Sequence, residues 1–206
     1  MKKLFYNVSS LHCPHAGVML NKVLSDQKKG VEVVFAYCHR ALPSCFDNIH
    51  GNTGICKVCM HMHRQIIRNY LPGIQTIPIS SKQFKPSKKD FSYDDIFDLK
   101  KITYRNVNIG LSLLSYYVTI TRKPSGKVTL EHRAYFDQIL SALCSFVDYA
   151  YQLVDEVRPD VISIYNGRLF ENRLFYEIAI ERGIKFESLE VCWRINEPAV
   201  RVEFEG

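Results

Sequence analysis

The stretch Asp160-Val161-Ile162-Ser163-Ile164-Tyr165-Asn166-Gly167-Arg168 decides the fold class. Its first six residues form a short, β-branched apolar run, the composition of a strand buried on both faces of a parallel sheet. Asn166-Gly167 then suits a tight turn, and residues 169–182 carry a helical pattern closed by Gly183. Strand, turn and helix in that order are the repeating unit of a doubly wound sheet.

The same unit recurs on either side. Lys3 to Val8 reads as a strand, residues 9–17 as a loop, and Val18 to Lys29 as an amphipathic helix stopped by Gly30. Val31 to Tyr37 is a second buried strand that runs into Cys38. Met60 to Leu71 reads as a helix and Thr76 to Ile79 as a strand; Ile184 to Val191 is a further strand. Between these blocks, Ser80 to Lys101 is polar and reads as a surface connection with one helical turn. Asn106 to Thr121 reads as a buried helix. Phe136 to Val157 carries an apolar stripe at helical spacing that ends before Pro159. The order predicts an α/β fold: a Rossmann-like doubly wound parallel sheet with a cysteine-rich metal-binding loop insertion, one domain over residues 1–206. Ligands of such sheets sit outside the carboxyl ends of the strands, which selects residues 9–17, Asn166 to Arg168 and the stretch after Leu189.

Composition narrows the class further. The 206 residues are 47% hydrophobic and 23% charged, which excludes wholesale disorder. A net charge of +6 suits an anionic ligand, an acidic membrane surface or nucleic acid without choosing among them. No apolar leader is evident near Met1, and the longest uncharged run, Asn106 to Thr121, is shorter than the ~20 residues of a spanning helix. The expectation is a cytoplasmic protein with reduced thiols.

Four of the 7 cysteines fall in the pattern Cys38-x6-Cys45-x10-Cys56-x2-Cys59. Two thiolates two residues apart make a chelating knuckle, and two more from the preceding loop close a tetrahedron around one ion, zinc ahead of iron–sulfur. His39, His61 and His63 flank the cluster and read as solvent-facing. His12 and His15 stand as polar groups at a site mouth, His15 as a catalytic candidate and His12 with Asn166, Gly167, Arg168 and Arg173 as binding residues for phosphate, carboxylate or sugar hydroxyls. Glu190 is the candidate base. Glu187 beside it reads as a second strand-end carboxylate, with an ion pair to Arg168 or Arg194 as the alternative.

Tyr165-Asn166-Gly167-Arg168, an arginine five residues later, the segment Ala179 to Ile184 and then Glu190 together resemble bacterial capsule and surface-polysaccharide glycosyltransferases of the GT-B type. So does the opening β-α-β unit feeding a cysteine loop. Where that family has Arg and Gly after the strand-end Glu, this chain has Val191 and Cys192. The resemblance implies an acceptor-side domain, with a glycan or lipid-linked acceptor, a donor domain supplied in cis or trans, and work at the inner face of a membrane. The competing reading is a zinc-stapled binding module for an anionic ligand or nucleic acid, supported by Lys82, Lys85, Lys88 and Lys89 but offset by the aspartates that follow. A dinucleotide-dependent redox protein lacks its Gly-x-Gly-x-x-Gly.

Overall fold

The computed structural model describes residues 1–11, 13–85, 89–168, 170–190 and 201–204, the side chains of residues 13 and 201–204 excepted. His12, Lys88, Val191, Cys192 and Arg194 therefore lie outside the described residues. A six-stranded sheet runs in the order β3-β2-β1-β4-β5-β6. Its strands are β1 (Lys2–Asn7), β2 (Glu32–Cys38), β3 (Gln75–Ile79), β4 (Val161–Tyr165), β5 (Lys185–Leu189) and β6 (Arg201–Phe204). The first five are parallel and β6 closes the edge antiparallel to β5. The parallel α/β expectation is met over these five strands.

Alternation along the central strands assigns the faces. Leu4 and Tyr6 of β1 and Ile162 and Ile164 of β4 meet α3 (Ile109–Thr121), α4 (Leu130–Val157) and α5 (Phe170–Glu181). Phe5, Phe35 and Tyr37 point the other way, against α1 (Cys13–Lys28) and α2 (Thr53–Tyr70). The chain builds β1 to β3 outward on one side, then crosses through α3 and α4 to start β4 on the other side of β1. That reversal leaves a crevice at the carboxyl ends of β1 and β4.

Three local expectations are corrected. The helix read from Met60 begins seven residues earlier, at Thr53, because the Asn52 side chain caps it by accepting from the Gly54 and Ile55 N–H groups. Cys56 and Cys59 thus stand on a helix, one turn apart, and not in a loop. The polar segment Ser80 to Lys101 is no mere surface strap: 3-10 turns at Ser81–Gln83 and Ile96–Lys101 seat Tyr93, Ile96 and Leu99 in the core under α3 and α4. Charge counting missed this because its apolar residues are sparse and follow no helical or strand period.

Glu187 is the third. It does not reach Arg168 but is buried under α1 in a four-charge cluster. Lys3 Nζ lies 2.8 Å from Glu187 Oε1 and 2.9 Å from Asp26 Oδ2, and Lys22 Nζ lies 2.5 Å from Asp26. Ser163 Oγ donates to Glu187 at 3.0 Å. Two ammonium groups and two carboxylates balance, which makes the burial tolerable. Burial alone would raise Asp26; the Lys22 and Lys3 ammonium groups outweigh it and hold the carboxyl below its ordinary value. Its stabilising contribution is complete above the unfolded value of 3.8 and is lost as pH falls through the lower folded value. Lys3→Met is expected to cost about 3–5 kcal/mol by leaving two buried carboxylates on one lysine. Urea unfolding measures it, and a loss under about 1 kcal/mol, the scale of an exposed pair, would show that the cluster is solvated.

Candidate functional site

A cleft of about 180 Å³ occupies the crevice between β1 and β4. β1 and its loop supply Asn7, Val8 and Ser9, while α1 supplies His15. Loop 39–52 adds Phe46 and Asp47, and α3 adds Thr119. The β4–α5 turn contributes Tyr165, Asn166 and Arg168, and the first turn of α5 contributes Phe170, Glu171 and Asn172. His15 stacks on the Tyr165 ring with centroids 4.1 Å apart. Asn166 and Phe170 both hold positive φ, 47° and 33°, conformations that side chains adopt at a cost.

Two buried groups give the cleft its chemistry. Glu171 is 1% exposed, with Tyr6 Oη 3.5 Å from its Oε1. Burial pushes its carboxyl up to about 7, against the smaller opposing effects of its own backbone N–H and the Tyr6 hydroxyl. Asn172 donates its amide to the Tyr165 carbonyl, yet its Oδ1 is buried and has no hydrogen-bond partner among the described residues. An acceptor left so beside a cleft calls for a donor from a bound molecule.

The sequence-selected residues divide. Asn166, Arg168 and His15 line the cleft. Gly167 is at the turn but packs against Ile164 and Phe186, where an added Cβ would lie 3.5 Å from each. Arg173 turns away to Glu177, with Nε 2.7 Å from Oε1. Glu190 follows β5 and is not among the residues that line the cleft, but it lies within reach of Arg168, which is; burial raises its carboxyl and Arg168 opposes that rise. Sequence reading missed Asp47, Glu171 and Asn172. Glu171 and Asn172 were accessible in principle, as polar residues in the first turn of the helix after Asn166-Gly167-Arg168.

Cys38, Cys45, Cys56 and Cys59 surround one cavity of about 20 Å³, which shares Val8, Ser9 and Asp47 with the cleft. Each sulfur accepts an N–H. Ala41 donates to Cys38 and Asp47 to Cys45 through their backbones. Asn48 Nδ2 donates to Cys56 at 3.1 Å and the Ser10 backbone to Cys59 at 3.5 Å. Donors aimed at every sulfur suit thiolates, so the residues fit a soft cation. Among the described residues, however, no three His, Cys, Asp or Glu groups stand in ligating geometry, and the metal-binding loop is not confirmed. Burial pushes the Cys38 and Cys59 thiols up and Cys45 up to about 12, so without a cation they stay protonated.

His63 corrects the expectation of solvent-facing histidines. It is buried on α2, with Nε2 3.3 Å from Asn7 Nδ2 and Nδ1 3.8 Å from Cys59 Sγ. Burial lowers it to about 4, so it is neutral at pH 7. His61 is exposed and His39 half-buried.

No protein-family profile matches the chain, and no curated protein matches it. Solved structures do align. A zinc-inhibited form of teicoplanin deacetylase Orf2 shares 8% identity, with 92% of this chain and 67% of that one covered and a TM-score of 0.45. A deacetylase complex from the teicoplanin biosynthesis pathway shares 10%, covering 97% and 72%, also at 0.45. A deacetylase–teicoplanin complex shares 8%, covering 92% and 70%, at 0.43. These are deacetylases and not GT-B glycosyltransferases. The expectation of a glycosyltransferase acceptor domain in capsule synthesis is therefore withdrawn. The alternative of a binding module without catalysis is also unsupported. At such identities and TM-scores the likeness assigns this chain no activity of its own. Among the described residues no helix is long and apolar enough to cross a membrane.

Proposed function

We propose that the cleft is a hydrolytic active site, in which Glu171 acts as general base and acid on an amide or ester of a polar, hydroxylated substrate. The observation that carries this reading is the buried Glu171 carboxyl, held near neutrality in the crevice of a doubly wound sheet. A group titrating near pH 7 accepts a proton from water and returns it to a leaving nitrogen or oxygen at little cost. The carboxylate takes a proton as water attacks the acyl carbon, and that proton leaves on the amine or alcohol when the acyl bond breaks. Arg168 and the N-terminal turn of α5 supply positive potential for the oxyanion formed in between. Asn172 Oδ1 and Asn166 accept and donate to the substrate's polar hydrogens and oxygens. The test is acid release from O- and N-acetylated monosaccharides, followed against pH. Rates should climb through about pH 7, Glu171's folded value. A profile flat from pH 5 to 9, the range on either side of that value, would remove Glu171 from the chemistry.

Zinc is the cation we assign to the four cysteines, in a structural role that ties loop 39–52 to α2 and so fixes Asp47 and Ser9 at the cleft. The thiols suit a reducing cytoplasm. Metal analysis of the purified protein should find one zinc per chain, lost in Cys56→Ser, with loop 39–52 becoming protease-sensitive after chelation. Metal-free protein with an intact, resistant loop would exclude the site.

A further inference from the structure

A second and larger cleft, of about 710 Å³, opens between loop 40–51, the end of α3 and the start of α4. We infer that it binds an uncharged, hydroxyl-rich ring, a sugar residue, at a site separate from the Glu171 cleft.

The floor is built from three hydroxyl groups hydrogen-bonded to one another and to the backbone of the loop. Ser44 donates to the Ile49 carbonyl at 2.9 Å, and Tyr116 donates to the Cys45 carbonyl at 3.1 Å. Ser44 Oγ also lies 3.2 Å from Tyr116 Oη and 3.3 Å from Tyr135 Oη, contacts in which either hydroxyl can donate. Three protons are shared among these contacts, so the three oxygens keep lone pairs with which to accept from a ligand. Burial raises the Tyr116 and Tyr135 phenols, so both stay neutral. The Glu131 carboxylate and Gln138 at the rim add further acceptors. A floor of acceptors selects a ligand rich in donors, which leaves polyols and polyamines.

Charge and shape choose between them. Arg40 and Glu131 line the cleft together, so its charge is balanced and offers a polycation no net attraction. The Arg40 φ of 63° is a left-handed conformation that the chain maintains at a cost. Ile49 and Ile120, each 37% exposed, face the cleft from the loop and from α3. They offer the apolar contact that the C–H face of a pyranose needs and a linear polyamine does not. Tyr117 is tied through its hydroxyl to His132 Nε2 at 3.3 Å, which fixes its ring as a wall.

The cleft is divided from the Glu171 site by a tilted ring pair, Tyr116 against Phe170, with ring centroids 3.9 Å apart. Tyr116 lines the larger cleft and Phe170 the smaller. A substrate reacting in one is therefore long enough to rest in the other only as an oligomer, but sugar binding in the larger cleft stands whether or not the smaller one hydrolyses anything.

Titration calorimetry with the full chain tests this, using the trisaccharides of N-acetylglucosamine and of glucose, with spermidine as the cationic comparison. At least one trisaccharide should bind and spermidine should not. Gln138→Ala and Tyr135→Phe should each weaken binding roughly five- to tenfold, the loss of one hydrogen bond. Glu171→Gln should leave it unchanged. Failure of both sugars to bind, preference for spermidine, or affinity indifferent to Gln138→Ala with the fold intact would overturn the assignment. Sugar binding without acid release would count against the hydrolase and not against this site.

Discussion

Gly110→Ala is expected to abolish folding, although alanine is the better helix former. Gly110 is the second residue of α3, and a Cβ there would stand 1.8 Å from the Leu99 carbonyl oxygen and 2.8 Å from Ile102 Cβ. The Gly110 N–H also donates to the Ile102 carbonyl at 3.0 Å, which locks the two segments at that separation. No rotamer relieves a clash with backbone, so α3 must lift from the 96–102 turn and open the core around Ile96 and Leu99. The loss exceeds about 4 kcal/mol, a large share of an ordinary domain's stability. Gly17→Ala is the matched comparison: it lies inside α1 with nothing within 4 Å of an added Cβ. There the intrinsic preference should show as a gain of up to about 1 kcal/mol. Recovery of a Gly110→Ala protein as stable as Gly17→Ala would mean that α3 does not sit on this turn.

Glu171→Gln is expected to make the protein more stable and less active. Folding keeps the proton on Glu171 up to about pH 7, whereas the unfolded chain releases it near 4.5. The folded state therefore binds more protons across that window, and stability falls as pH rises through it. Glutamine removes this slope, a gain on the order of 3 kcal/mol at pH 8. Acid release, in contrast, should drop by roughly 10²–10⁴-fold, the range for removing a positioned general base. Thermal melts at pH 5 and pH 8 beside rate measurements separate the two effects. A variant that loses activity and stability together would mark Glu171 as structural only.

The sheet was legible because its strands are short apolar runs set off by Gly30, Gly73, Pro159 and Gly183, and because Asn166-Gly167 marks where β4 turns toward α5. The cleft was legible in part. Fold class alone points to the loops after β1 and β4, and with them to His15, Asn166 and Arg168. Asp47 could not be placed, since loop 39–52 reaches the crevice by a path that no periodicity encodes. Glu171 was hidden for a different reason. A glutamate in a first helical turn reads as a favourable surface charge, and only its burial beside Tyr6 at the edge of the cleft shows that bulk solvent is held off. The resemblance drawn from Tyr165-Asn166-Gly167-Arg168 misled because a strand–turn–helix with Asn, Gly and Arg answers to backbone geometry before it answers to any one chemistry.

The position of β1 has a consequence for how the chain is made. It lies at the centre of the sheet, between β2 and β4, yet those partners are far apart in sequence. During synthesis β2 and β3 can pair on one side within the first eighty residues. The other edge of β1 must wait for residues 161–165, and only then can Glu187 of β5 neutralise Lys3. Long-range parallel pairing of this kind is slow, and an apolar strand edge left open meanwhile is a template for association. Nascent chains truncated before residue 160 should thus depend on chaperones, and the half-built sheet is where aggregation of this protein would begin.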